Sequence, residues 1–193
     1  MIAPAVAQRA VPAGTLRSGT LSFDGRATVG DFTGTTSTIT GAMTGGLLTE
    51  VRGWVEAPVD SLKTGNGKRD KDLRKSMESD KYPAIRFDLD GPDLHTETAD
   101  SALVTLRGRF TIHGVEREVQ LPARIHFHGQ SLRVMSDFPL NLKDYKIGGL
   151  SKMLGILKMH PDITVHVDLL FESSPASAAP PAGAPVATPP PRG

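Results

Sequence analysis

The sequence predicts an all-β domain in which eight antiparallel strands close into a barrel, with a short helix between strands three and four. Three observations carry that expectation. Apolar and polar residues alternate with a period of two through most of residues 51–171, as strands with one dry and one wet face require. The alternation runs unbroken for about ten residues in places, roughly 34 Å of extended chain, and such long strands favour a closed barrel over a two-sheet sandwich. The chain has 193 residues and no cysteine, so one sizeable core must hold it together without disulfides.

Taken in order, residues 1–14 are rich in Ala and Pro and read as a flexible N-terminal arm. Within it, Ala5-Val6-Ala7 resembles the cleavage end of a signal peptide, although a basic n-region and a full apolar stretch are missing. The first two strands, near 16–29 and 31–43, are rich in Thr and Gly and less regular. In the third, Val51, Val55, Ala57 and Val59 alternate with Arg52, Trp54 and Glu56. Residues 69–79 break the period: they are polar and helix-compatible, Leu73 and Met77 share a face, and Tyr82-Pro83 stops them.

The fourth strand sets Ile85, Phe87 and Leu89 against Arg86, Asp88 and Asp90. In the fifth, Val104, Leu106, Gly108, Phe110 and Ile112 are dry, with Thr105, Arg107, Arg109 and Thr111 between them. His113-Gly114 is a tight-turn signal into the sixth, with Val119, Leu121, Ala123, Ile125 and Phe127 on its dry face. Leu132, Val134, Phe138, Leu140 and Leu142 mark the seventh strand; Ile163, Val165, Val167, Leu169 and Phe171 mark the eighth. Between these two, Ile147, Leu150, Met153, Leu154 and Leu157 form a helical stripe interrupted by Gly148, Gly149 and Gly155, which predicts a second short helix or loop across one mouth. With its flanking lysines this stripe could also make transient contact with an anionic membrane. Residues 174–193 contain seven prolines and six alanines and read as a disordered tail, which leaves 15–173 as the barrel domain.

Composition excludes several functions. Lys plus Arg is 22 and Asp plus Glu 21, a net charge of +1, and aromatics are 5%; neither the charge nor the stacking platform for a nucleic-acid partner is present. No H-E-x-x-H, G-x-S-x-G, Walker A or G-x-G-x-x-G occurs, so no residue takes a catalytic role and no cofactor is expected. His126 and His128 share one wet face, but a metal needs a third ligand from elsewhere, and His166 qualifies only if its strand is adjacent.

Patterning leaves two interiors open: a packed core, or a hollow for one long thin apolar ligand. In the second case the predicted lining is Phe32, Val55, Ile85, Phe87, Val104, Leu106, Phe110, Val119, Leu121, Ile125, Phe127, Val134, Phe138, Val165 and Val167. In the first, the domain is a protein-interaction module using its edges or its tail.

Two stretches resemble the YceI-like family of lipocalin-like, polyisoprenoid-binding proteins. Residues 59–73, with Ser61, Thr64-Gly65-Asn66, Arg69-Asp70 and Leu73, match the family's S-x-x-T-G-N-x-x-R-D-x-x-L turn and helix, followed by Tyr82-Pro83-Ala84-Ile85-Arg86-Phe87. Residues 108–119, Gly-Arg-Phe-Thr-Ile-His-Gly-Val-Glu-Arg-Glu-Val, are similar to its G-x-L-T-I-H-G-V-x-R-x-V hairpin, and Val29-Gly30-Asp31-Phe32-Thr33-Gly34 is a weaker echo of its second strand. The resemblance implies an elongated eight-stranded barrel that binds a polyisoprenoid, quinone or fatty acyl derivative without catalysis. It also implies a periplasmic or secreted location and allows a homodimer. On the residues alone, Asn66-Gly67 suits a turn with positive φ. Arg69, Asp70 and Asp72 hold the helix against the barrel end or, on a second reading, grip a lipid head group. The family's first-strand histidine is missing from Ser22–Thr28, where Arg26 is the available replacement, and the Gly- and Lys-rich 143–158 departs from the family pattern.

Overall fold

In the computed structural model, residues 9–28, 30–148 and 159–173 are described. Eleven strands and one α-helix follow in chain order: β1 (Ala10–Val11), β2 (Gly14–Ala27), β3 (Gly30–Thr36), β4 (Thr40–Met43), β5 (Gly46–Leu47), β6 (Gly53–Pro58), α1 (Gly67–Ser76), β7 (Ala84–Glu97), β8 (Ser101–Ile112), β9 (Val115–His128), β10 (Ser131–Asn141) and β11 (Asp162–Ser173). Neighbours pair antiparallel in the order β11-β10-β9-β8-β7-β6-β4-β2-β3, and β11 returns to pair with β2, closing the sheet. Because β2 pairs with β3 along Leu21–Ala27 and with β4 at Gly14 and Thr15, β3 and β4 are two halves of one interrupted strand. The barrel is therefore eight-stranded and antiparallel, as the alternation predicts; β9 and β10 pair only along Ser131–Met135 and part beyond it.

The long meander β7–β8–β9 follows the sequence pattern residue by residue. His113 and Gly114 adopt φ of 52° and 69°, the left-handed pair of a two-residue hairpin, and place Ile112 opposite Val115. Gly114 is held to glycine twice over, because a Cβ there would meet the Tyr82 ring at 2.3 Å.

One end of the barrel is plugged. Arg9 lays its guanidinium 4.1 Å from the Phe127 ring centroid, pairs with Glu97 at 2.9 Å and donates to the carbonyl of Ala99 at 2.7 Å. Beneath it β1 pairs with β5, and Val11, Leu48 and Val51 are buried. The expected loose arm thus ends earlier than residue 14: from Arg9 onward the chain packs, because Val11 is an apolar anchor and Arg9 finds an acceptor for each face of its fork. Residues 1–8 and the Pro-rich tail, 174–193, lie outside the described residues.

At the opposite end β6 stops at Pro58, and the chain leaves the sheet before β3 has gained a full neighbour. Only Lys63 bridges to β3, exchanging both backbone hydrogen bonds with Thr35 at 2.8 and 2.9 Å. Helix α1 covers the gap. The Asn66-Gly67 turn with positive φ is corrected here: the left-handed residue is Gly65, at φ 73°, while Asn66 is extended, at φ −134°, and caps the helix. Its Oδ1 accepts from the amides of Lys68 and Arg69, both at 3.1 Å, which satisfies two donors that a helix start leaves orphaned. Asp70, itself buried, reaches back to the turn. Its Oδ1 accepts from the Thr64 amide at 2.8 Å and the Thr64 hydroxyl at 2.6 Å. The helix begins two residues earlier than predicted and ends at Ser76; Met77 is buried and Glu78 turns the chain out at φ 48°. Of the second predicted helix or loop, residues 149–158 lie outside the described residues.

The Thr64 hydroxyl, foremost, holds the Asp70 carboxyl below its ordinary 3.8, so the charged form is the one the fold stabilises. That contribution is complete above the unfolded value and fades as pH falls below 3.8. Asp70→Asn is expected to lower stability at neutral pH by roughly 1–3 kcal/mol, and Asn66→Ala by about 1 kcal/mol. Denaturant unfolding at two pH values checks both: the Asp70→Asn deficit shrinks in acid and the Asn66→Ala deficit persists.

Candidate functional site

Inward side chains of all eight strands enclose a cavity of about 380 Å³ that runs from Leu48 and Val51 at the plugged end to α1 at the other. The volume lies near the lower end of the range for small-molecule pockets. The wall is almost wholly apolar. Ser136 is the polar side chain deep within it, buried on β10, and its hydroxyl already donates to the carbonyl of Pro122 at 2.7 Å. No free polar group therefore faces the inner cavity among the described residues.

The mouth is built differently. Thr64, Asn66, Lys68, Arg69, Asp72 and Ser76 form one side of the rim, while Leu73 and Met77 turn inward from α1. Phe32 faces them from β3. Its ring meets the Phe23 ring edge-on at a centroid distance of 6.1 Å, and Phe23 lies so close to Gly34 that a Cβ there would come within 2.3 Å of the ring. The Arg69 guanidinium lies 4.3 Å over the Phe32 ring, a cation–π contact that joins helix to strand across the interrupted edge. Ile147 and Met159 line the cavity from the far side of the mouth.

Of the residues predicted to face a hollow, Phe32, Val55, Ile85, Phe87, Leu106, Phe110, Leu121, Ile125, Val134, Phe138, Val165 and Val167 come together around the cavity. Three do not reach it. Phe127 lies under the Arg9 plug, Val104 is 2% exposed between its cross-strand partners Leu94 and Ala123, and Val119 is half-buried opposite Gly108. Arg9, far away in sequence, covers Phe127, whereas Val119 lies on the stretch of β9 that does not pair with β10. The prediction missed much of the mouth, Leu73, Met77 and Met159 among it, for lack of a strand period there. Of these, the Leu73–Met77 spacing was legible as a helix face. Arg26, the candidate replacement for the missing histidine, is exposed and lies off the cavity. Trp54 borders the cavity from β6, with the Arg86 guanidinium over its ring at 4.7 Å.

His126 and His128 stack at a centroid distance of 6.4 Å, but β10 separates their strand from that of His166. Among the described residues no group of three or more His, Asp or Glu is placed to hold a metal ion. His166 instead spans the closing seam, with Nδ1 2.6 Å from Asp137 and Nε2 3.1 Å from Asp24. Asp137, then Asp24, raise its pKa above the ordinary 6.5.

The YceI-like domain family matches residues 16–171. The chain belongs to the YceI-like family. Its fold is shared with a polyisoprenoid-binding domain from Saccharophagus degradans implicated in plant cell wall breakdown, at TM-score 0.73 and 15% identity over 84% of this chain and 99% of that one. BcnA of Burkholderia cenocepacia follows at TM-score 0.63 and 14% identity, covering 79% and 95%. A mutant of the Campylobacter jejuni YCEI protein gives 0.57 and 18%, covering 73% and 84%. A search of the curated proteins found no match.

Two expectations follow from this geometry. Val167→Trp points into free volume and is expected to leave stability within about 1 kcal/mol, whereas Val104→Trp overpacks a filled layer and costs roughly 1–3 kcal/mol; denaturation midpoints of the two variants decide it. The His166 imidazole is expected to titrate above 6.5 by NMR and to move back toward that value in Asp137→Asn. Its raised pKa stabilises the seam below 6.5, and the contribution is lost as pH rises through the folded value.

Proposed function

We propose that this YceI-like chain binds one apolar lipid inside its barrel and carries or sequesters it without catalysis. The lipid classes that suit the cavity are a polyisoprenoid, a quinone or a fatty acyl derivative. The observation that carries this reading is the dry cavity whose one deep hydroxyl is already bonded. Such a wall offers nothing to a polar ligand and much to a hydrocarbon chain. At about 0.8 kcal/mol per buried CH₂, fifteen such groups supply roughly 12 kcal/mol of transfer free energy, enough to offset the ordering cost of association. The polyisoprenoid-binding name of the Saccharophagus degradans relative supports the same chemistry. A solid-cored interaction module fits less well, because its inward faces would meet.

We place the carrier in the periplasm or outside the cell, supported by the Ala5-Val6-Ala7 feature and the family resemblance. Transient membrane contact by the segment after Ile147 would serve loading, and a homodimer is compatible with the reading.

Protein purified from a bacterial host is expected to release an isoprenoid or acyl lipid, near one per chain, on organic extraction followed by mass spectrometry. Val167→Trp is expected to come out empty while still folded. A wild-type protein that yields no lipid and takes up none on incubation would overturn the proposal.

A further inference from the structure

Resting on the carrier reading, we infer that the ligand is an amphiphile with an anionic head, carboxylate or phosphate, and that Arg69 receives that head at the mouth while the chain lies inward. The orientation follows from where polar groups remain unspent. At the plugged end, Arg9 spends its Nε and Nη2 donors on Glu97 and the carbonyls of Thr98 and Ala99, and it does not line the cavity. Halfway along, Ser136 is committed to Pro122. A charged head driven to either place would lose its water and gain no partner, a cost of several kcal/mol by transfer scales.

The mouth is the reverse case. Arg69 is half-buried, and its guanidinium makes no hydrogen bond or ion pair among the described residues; its one contact is the face of Phe32. A cation over a ring face keeps the N–H donors on the guanidinium edge free for other acceptors. The fork matches a carboxylate or phosphate through two parallel hydrogen bonds. Lys68 adds a second cation to the same rim; of the two acids that line the cavity, Glu56 is paired with Arg86 and Asp72 sits on the helix beside Arg69. The neighbouring polar groups are already engaged in folding the turn: Asp70 and Thr64 bond each other, and the Asn66 Oδ1 caps the helix. Arg69 alone in this motif is left without a structural polar partner, although a guanidinium is costly to hold half-dry.

The test compares chains that differ only in the head: palmitoleic acid against palmitoleyl alcohol, and geranylgeranyl monophosphate against geranylgeraniol. Each displaces the neutral probe N-phenyl-1-naphthylamine from the delipidated full-length protein. Wild type is expected to prefer at least one anionic member over its alcohol by about tenfold, the size of a charge-assisted bond at a half-exposed site. Arg69→Gln is expected to remove that preference, Arg69→Lys to restore part of it, and Lys71→Gln, exposed and off the rim, to leave it intact. The pair that shows the preference identifies the head as carboxylate or phosphate. Equal binding of acid and alcohol by wild type overturns the inference while leaving the carrier reading in place. So does an Arg69→Gln variant that weakens acid and alcohol alike, since the guanidinium would then only brace Phe32. Failure of every chain to displace the probe overturns the carrier reading itself.

Discussion

The interrupted hydrogen-bond ladder between β3 and β6 organises the functional half of this molecule. Most strands pair with two neighbours along their length; the β9–β10 ladder is the other that runs short, ending at Arg124 and Met135. Between β3 and β6, the latter ends at Pro58, which has no amide to donate, and among the described residues the backbone there gains only the Thr35–Lys63 bridge. Everything that follows in the chain deals with that gap. Gly65 reverses direction, Asn66 and Asp70 secure the helix, and Arg69 reaches back to Phe32 on the exposed strand. The opening of the cavity is thus a consequence of a missing strand segment rather than a hole cut into a finished wall.

The same break bears on the cavity's energetics. Cavities made by truncating core side chains cost about 24 cal/mol per Å³, and at that scale a hollow of about 380 Å³ forgoes roughly 9 kcal/mol of contact. That is comparable with the whole net stability of an ordinary domain. A chain does not keep such a space by accident of packing. Three of the aromatics that line the cavity, Phe87, Phe110 and Phe138, meet as tilted rings at centroid distances of 5.0 and 5.7 Å. On the proposed reading the lipid supplies the missing contacts, so the loaded protein should be markedly harder to unfold than the empty one.

Much of the architecture was legible because alternation is a local signal. From Ser101 to His128 each inward residue could be assigned from its neighbours, and the His113-Gly114 turn set the register. The first strands were harder. Thr- and Gly-rich segments such as Gly30–Thr36 have no strong dry face, and the split between β3 and β4 has no sequence mark. The candidate site was half legible. Inwardness is a one-strand property, and so Val55, Leu106 and Phe138 could be placed. Depth along the axis is a property of the closed barrel: Phe127 lies under Arg9, and Val104 is packed between Leu94 and Ala123. The Thr64–Asp70 motif was visible as a pattern, but its division of labour was not. Which of two glycines turns left, and which polar group is left over, are decided only when the helix docks.

That leftover group explains how fold and ligand choice can vary separately. The structural relatives share this barrel at 14–18% identity, which is possible because alternation of apolar with polar residues, and not particular side chains, is what closing a barrel demands. An apolar tunnel discriminates poorly among chains, since one methylene more or less changes binding by about 0.8 kcal/mol. A buried or half-buried polar contact discriminates sharply, because its absence leaves a donor unpaired. Selectivity in a barrel of this kind must therefore be set where polar groups are unspent. In this chain that place is the rim between α1 and β3, where the Arg69 guanidinium lies over the Phe32 ring without a hydrogen bond or ion pair among the described residues.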